Sequence, residues 1–397
     1  MKKTFSIKNI IFGKLHTYED DPFFWMADWS TLLFRTFHQE IISRTIFWMY
    51  NVLLFAIVVY LLIYPFNTGT ISDIMYTTSQ MVSFQLCYGN YMSKFGVFYE
   101  SFQNLGKLTK VYGRPPNDSF KKETNRISHI WKLSVTIVIV FSFVAYFLNV
   151  CFMNDDTNIL VLVVKGLTLN RPKGLLGINI LLYGIMMPHS LLFEGAFVLL
   201  SLYFNLHFKY LLRILRESIE IMVGLEKDFD DEIEYWNSNK YQKHIKNEMK
   251  YFLAQYIRIK MSLDNFNEIY KMGFLSITLS GVVEMGTTLV SIVTVDSDKN
   301  ILPFVVYFGV AIFIFTLITE TGEQILIECE QLYLQAKQFR WFQWNKENRQ
   351  LLWMFYFITQ KPLCLSCYGL ITINRRMMVS LYRMVYSFVT CFGKMNN

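Results

Sequence analysis

The run QKPLCLSCYGLITINRRMMVSLYRMVYSFVTCF, residues 360–392, is the last long apolar stretch of the chain. It exceeds the roughly 20 residues that a helix needs to cross a bilayer, yet it contains Arg375, Arg376 and Arg383. Ionisable side chains inside a membrane span almost always face protein or a water-filled space. The run therefore predicts a membrane helix with at least one face turned away from lipid.

The composition is that of a membrane protein with several spans. Hydrophobic residues make up 53% of the 397 residues and charged residues 17%, and the mean hydropathy is +0.28. Soluble domains carry about 25% charged residues. The basic first twenty residues have no continuous apolar core, because Lys8 and Lys14 interrupt it. No signal peptide is expected, and the first span is expected to direct insertion.

The distribution of apolar residues predicts an all-α membrane protein with seven transmembrane helices. The second span contains Gln80 and Asn90 and is expected to face protein or water rather than lipid. The predicted spans cover residues 44–64, 72–96, 131–153, 186–208, 267–294, 303–326 and 364–392.

Basic residues between the spans predict the orientation. The connections on one side hold 26 Lys and Arg residues and those on the other side hold 5. Because basic residues accumulate in the cytoplasm, the N-terminus is expected inside and the C-terminus outside. This is the reverse of a G-protein-coupled receptor, and the Asp-Arg-Tyr and Asn-Pro-x-x-Tyr motifs of that class are absent. The basic side comprises residues 1–43, 97–130, 209–264 and 327–363.

Two cytoplasmic segments are predicted to be helical. Segment 209–264 is long and charged, so the helices of spans four and five are expected to continue past the membrane. Segment 327–350 places apolar residues at helical spacing among basic ones, which predicts an amphipathic helix. Such a helix would lie at the lipid interface or pack against copies of itself.

The residues that carry most enzyme chemistry are not arranged as a catalytic site. The six histidines are dispersed, and no Gly-rich phosphate loop or His-Glu-x-x-His motif is present. Cys364-x-x-Cys367 lacks a second pair or a nearby histidine, so a structural role is favoured over metal binding. No enzyme activity, cofactor or metal is expected. Glu194 and Glu284 lie within spans, and Glu320 and Glu323 lie at the inner end of span six. These carboxylates are consistent either with ion conduction or with a structural role, pairing with Arg375, Arg376 or Lys271.

The tail of the chain resembles an insect odorant receptor. The residues that carry the resemblance are Gly322 at the end of span six, the aromatic segment with Trp341 and Trp344, Gln360-Lys361-Pro362-Leu363 and Tyr386-Ser387-Phe388. The Thr-Tyr and Gln-Phe pattern of gustatory receptors is absent from the last span. The large cytoplasmic insertion of the co-receptor Orco is also absent, which favours a ligand-tuning subunit.

The resemblance implies a tetrameric, ligand-gated, non-selective cation channel with a central pore lined by the last helices. It implies a six-helix ligand-binding bundle over 1–326 with extended cytoplasmic helices, an anchor helix over 327–363, and a pore-lining helix with a short extracellular tail over 364–397. The implied partners are Orco in a heterotetramer, a small hydrophobic volatile and membrane lipid, without nucleic acid. The implied location is the plasma membrane of olfactory sensory neurons.

The resemblance also places the ligand among spans two, three, four and six, in the outer half of the membrane. Apolar walls with a few hydroxyl groups suit a small hydrophobic molecule. Selected by depth, the expected lining residues are Tyr76, Thr77, Gln80, Ser142, Ala145, Tyr146, Asn149, Phe193, Phe197, Phe304, Tyr307 and Phe308.

A gate and an assembly surface are expected near the ends of the pore and anchor segments. The gate candidates share one helix face because they recur at spacings of three and four, and apolar constrictions close pores by dewetting. The arginines of the last span are expected to face neighbouring helices or side exits with carboxylate or phosphate partners. The gate candidates are Tyr386, Val389, Thr390 and Gly393, and the assembly candidates are Phe339, Trp341, Phe342 and Trp344.

Three other functions fit the sequence less well. A gustatory-type receptor channel and a homotetrameric odorant receptor share the expected topology. A membrane transporter is disfavoured because the chain shows no convincing internal repeat, which many transporters have.

Overall fold

The computed structural model describes residues 25–26, 52, 118–152, 187–228, 238–294 and 302–395. Apart from residue 52, the predicted spans one and two lie outside these residues. The described elements are, in order, α1 (Asp118–Phe152), α2 (Met187–Asp228), α3 (Asn239–Thr294), α4 (Leu302–Ala336), a 3₁₀ turn (Trp341–Gln343), α5 (Lys346–Thr359), β1 (Ser366–Cys367), β2 (Ile371–Thr372) and α6 (Arg375–Met395).

Helices α1 to α4 contain the predicted spans three to six. Within the described residues, two stretches are long and apolar enough to cross a membrane by length and composition: Val198–Gly224 in α2 and Phe308–Ala336 in α4. Helix α2 continues to Asp228 and α3 begins at Asn239. The extension of spans four and five into long helices is therefore confirmed.

The shared core lies where α2, α3 and α4 cross. Rings of Phe204 on α2 and Phe266 on α3 have centroids 4.6 Å apart, and Phe266 also contacts Tyr270 at 4.1 Å. All three side chains are fully buried. Nearer the start of α3, Tyr256 packs edge-on against Phe355 of α5. The core therefore continues from the long helices into the 327–363 segment.

The segment 327–350 is not the single amphipathic helix that the sequence predicts. Helix α4 ends at Ala336, a 3₁₀ turn follows, and α5 starts a new helix. The side chain of Asn345 caps α5 by accepting the N–H of Asn348 at 2.8 Å. The rings of Phe339 and Trp344 pack together at 5.2 Å inside the core. This local packing outweighs the helical periodicity.

The last helix begins at Arg375, eleven residues later than the predicted start of span seven at Cys364. Residues 366–372 instead form a β-hairpin in which Cys367 pairs with Ile371. Its two central residues, Tyr368 and Gly369, have φ of 53° and 69°. Two consecutive residues with positive φ suit a tight hairpin turn, which a helix could not accommodate. The remaining 21 residues of α6 span about 30 Å, the thickness of a bilayer core.

Candidate functional site

The first turn of α6 is bonded to α4. Arg375 donates to both carboxylate oxygens of Glu320, from Nε at 2.9 Å and from Nη2 at 2.7 Å. The backbone N–H of Arg375 also donates to Glu323 at 3.2 Å. Bidentate arginine–carboxylate pairs fix orientation as well as distance. These two carboxylates of α4 therefore hold the start of α6, and pairing, one of the two roles predicted for Glu320, is observed.

This contact extends across α4 to α2. The side-chain amide of Gln324 donates to Glu320 at 3.3 Å, and Lys209 on α2 donates to Gln324 at 2.6 Å. One turn away, Asn205 on α2 donates to Thr321 at 2.9 Å. A continuous polar chain thus connects α6, α4 and α2.

A close backbone approach completes this junction. A Cβ atom added to Gly322 would lie 2.2 Å from the carbonyl oxygen of Ile373, two residues before α6 begins. Ile373 is itself buried, and its N–H donates to the carbonyl oxygen of Leu365 across the hairpin at 2.9 Å. The absence of a side chain at Gly322 is therefore what allows the hairpin to contact α4.

Helix α6 has two unlike faces. Met378, Leu381 and Val385 are buried in a cluster with Met285 of α3 and Phe315 of α4. Higher on the helix, the ring of Phe388 occupies the space beside Gly286, where an added Cβ would lie 2.5 Å from it. The opposite face is exposed.

The exposed face of α6 carries a polar stripe: Arg376, Arg383 and Thr390. These residues are spaced seven apart and so lie nearly above one another on the helix. Arg375 has the carboxylate partner expected for the arginines of this span. Arg376 and Arg383 have no ion-pair partner within the part of the chain that the structure describes.

The gate candidates lie toward the C-terminal end of α6. Tyr386 is 70% exposed and Thr390 is exposed, whereas Val389 is half-buried at the edge of the packed face. Gly393 lies in the last turns of α6. Their role as a constriction stays a prediction.

An open apolar cavity of about 330 Å³ lies between α1 and α4. It is lined by Ile137 and Phe141 of α1 and by Val306, Gly309, Val310 and Phe313 of α4. No atom lies within 4 Å of the position where a Gly309 Cβ would stand, so this glycine leaves part of the space open. The volume is within the range of small-ligand sites.

The predicted pocket residues are distributed differently. Phe308 packs toward the cluster formed by α3, α4 and α6 rather than toward the cavity. Tyr76, Thr77 and Gln80 lie outside the described residues. The remaining candidates lie on described helices without a described side chain: Ser142, Ala145, Tyr146 and Asn149 on α1, Phe193 and Phe197 on α2, and Phe304 and Tyr307 on α4.

The aromatic segment 339–344 divides into a core half and a surface half. Phe339 and Trp344 are buried within the chain, whereas Trp341 and Phe342 are 44% and 65% exposed. Helix α5, which follows directly, carries further exposed apolar side chains. We call these exposed side chains the anchor surface, and its members are Trp341, Phe342, Trp353, Met354 and Phe357.

The cysteine pair near the hairpin is not arranged for thiolate chemistry. The thiol of Cys367 donates to the carbonyl oxygen of Lys271 at 2.9 Å. Burial raises the pKa of the Cys364 and Cys367 thiols. Both shifts favour the thiol over the thiolate, which is the form that acts as nucleophile and metal ligand.

These features define a class: a helical membrane protein with an open apolar cavity between two long helices and a separate helix docked by charged contacts. The sequence model of the 7tm Odorant receptor family matches residues 111–386, more than half of the chain. The chain therefore belongs to this family and is a multi-pass transmembrane odorant receptor.

Solved structures agree with the fold. The structure of the insect olfactory receptor OR5 from Machilis hrabei in complex with eugenol superposes with a TM-score of 0.70 at 11% identity, covering 94% of this chain and 98% of that chain. Another structure of OR5 from the same organism gives a TM-score of 0.63 at 11% identity, covering 90% of this chain and 89% of that chain. No curated protein sequence matches the chain.

Proposed function

We propose that the chain is a ligand-tuning subunit of a ligand-gated, non-selective cation channel. In this proposal four subunits surround a pore lined by α6, the N-terminus is cytoplasmic, and the co-receptor Orco completes a heterotetramer. The observation that carries the proposal is the two-faced α6. One face is packed on α3 and α4, and the other bears Arg376 and Arg383, which require water or protein rather than lipid.

The ligand is proposed to occupy the cavity between α1 and α4. Its lining is apolar, so recognition would depend on shape and hydrophobic burial. A small hydrophobic volatile has the matching chemistry. The solved OR5 complex with eugenol supports this choice by analogy of fold.

Subunit contact is proposed through the anchor surface. Several large apolar side chains exposed together on one region mark an interaction site more often than a solvated surface. Because Phe339 and Trp344 are used in the chain's own core, the contact residues are the exposed members, with Trp341 and Phe342 retained from the sequence prediction.

The test is whole-cell recording of cells that express this chain alone, Orco alone, or both, across a panel of volatiles. The proposal predicts a ligand-evoked, non-selective cation current that requires both chains and is selective among the volatiles. A current that is identical with Orco alone would refute the tuning role. Saturable uptake of a solute without conductance would favour a transporter.

A further inference from the structure

Helix α6 carries a net positive charge, and the described residues neutralise it only at one end. Its 21 residues include Arg375, Arg376, Arg383 and Lys394 and no acidic residue. Glu320 and Glu323 of α4 accept hydrogen bonds from Arg375. Within the described residues, the guanidinium groups of Arg376 and Arg383 contact no carboxylate.

Of these two arginines, Arg383 lies where an unpaired charge is least favourable. It follows Arg375 by eight residues, which places it about 12 Å up a helix of about 30 Å. It lies opposite the buried residues Leu381 and Val385, near the centre of the exposed face. Arg376, in the first turn, is close enough to the inner membrane surface to meet lipid headgroups. Arg383 stands near the middle of the helix, where lipid offers no partner.

A second copy of α6 does not supply that partner. In a symmetric ring the same residue would recur at the same height on every subunit, so each Arg383 would approach another Arg383. Like charges across an interface oppose association. Bare guanidinium groups around a pore would also repel the cations that the proposed function requires to pass.

We propose that the exposed face of α6 meets a different subunit at the height of Arg383, where that subunit presents a carboxylate, while the turn that carries Thr390 faces the pore. This inference rests on the proposed function, since it takes α6 to be at the pore and subunit boundary. The partner is defined by its chemistry: a pore-forming chain with an acidic residue near mid-membrane on the surface that meets α6. Arg376 makes the weaker, more solvated contact one heptad below.

The experiment co-expresses Orco with Arg383→Lys, Arg383→Gln and Arg383→Glu variants. It measures surface amount by external labelling, co-assembly by co-purification, and ligand-evoked current. Co-assembly should fall by about thirtyfold or more for Arg383→Glu, the scale for a disrupted buried charge pair, less for Arg383→Gln and least for Arg383→Lys. Arg126→Glu, at an exposed arginine of α1, is the matched control and should assemble normally.

Rescue identifies the partner group. Acidic residues of Orco are changed to lysine one at a time, and one of them should restore co-assembly of Arg383→Glu while weakening assembly with the wild-type chain. Normal co-assembly and current of Arg383→Glu would overturn the inference. Rescue of Arg383→Glu by Glu284→Arg in the same chain would also overturn it, because the partner would then be a carboxylate of this chain or of a second copy. Absence of ligand-evoked current from the wild-type pair would instead contradict the proposed function, and co-purification would still report on the charge pair.

Discussion

Replacing Gly322 with alanine should separate α6 from α4. The added Cβ would lie 2.2 Å from the carbonyl oxygen of Ile373 and 3.2 Å from its Cγ2. An ordinary carbon–oxygen contact is about 3.3 Å or more, so the backbone at Ile373 has to retreat by about 1 Å. That backbone is bonded within the hairpin and leads directly into Arg375, so the displacement reaches the pairing with Glu320.

The magnitude follows from two opposed effects. Overpacking a tight contact costs about 1–3 kcal/mol, whereas alanine is favoured over glycine inside a helix by about 1 kcal/mol. The matched control is Gly224→Ala on α2, where no atom lies within 4 Å of the added Cβ. The control variant keeps the stabilisation that alanine gives a helix but lacks the steric contact with Ile373. The two variants should therefore differ by about 1–3 kcal/mol in the free energy of docking α6, or about 5–150-fold in an equilibrium.

The assay compares the two variants and the wild type. Detergent-extracted complexes are heated in steps and the surviving assembly is quantified by fluorescence-detected size exclusion. Gly322→Ala should lose its assembly a few degrees below Gly224→Ala, and its maximal ligand-evoked current should fall at equal surface expression. If the two variants match in both measurements, the contact between α4 and the hairpin does not position α6 and the reasoning is wrong.

Four further outcomes are expected. Glu320→Arg and Arg375→Glu should each reduce ligand-evoked current, and the double exchange should recover part of it at equal surface expression; a double variant no better than either single would contradict pairing. Phe342→Glu, at an exposed ring, should reduce tetramers on native gels while leaving the protomer folded; unchanged tetramers would assign the anchor surface to lipid. Val389→Asn should wet the proposed constriction and raise current without ligand; a change in ligand preference alone would place the gate elsewhere. Gly309→Leu should fill the α1–α4 cavity and raise the half-maximal ligand concentration about tenfold or more, with low ligand-free current; unaltered sensitivity would move the ligand site away from this cavity.

The sequence predicts much of the helical architecture because long apolar runs have few alternatives in a bilayer. The predicted helix boundaries are wrong where an apolar run does not form a helix. Residues 364–374 continue the hydrophobicity of α6, yet they form a hairpin with a turn at Tyr368 and Gly369. Two local signals were available: Gly369 within the run, and Asn374, whose side chain accepts the N–H of Met377 at 3.0 Å.

Contacts between side chains that are far apart in the sequence could not be predicted in the same way. The pairing of Glu320 with Arg375 joins residues 55 positions apart. The sequence offers Arg375, Arg376 and Lys271 as candidate partners and does not choose among them. The division between buried Phe339 and exposed Phe342 depends on the break after Ala336. Helical periodicity, continued through that break, assigns both rings to the same surface.

The rotational phase of α4 explains why Phe308 does not line the cavity, and it bears on the coupling expected in this receptor. Depth alone selects Phe308, but the cavity face of α4 holds Val306, Gly309 and Phe313, and Phe308 lies on the face toward α6. Both faces belong to one uninterrupted helix that also carries Glu320, about 10 Å below Phe313. A packed helix moves as a rigid element rather than deforming locally. A ligand that shifts or rotates α4 from the cavity side would therefore move the carboxylate that holds the first turn of α6, without requiring direct contact between ligand and pore.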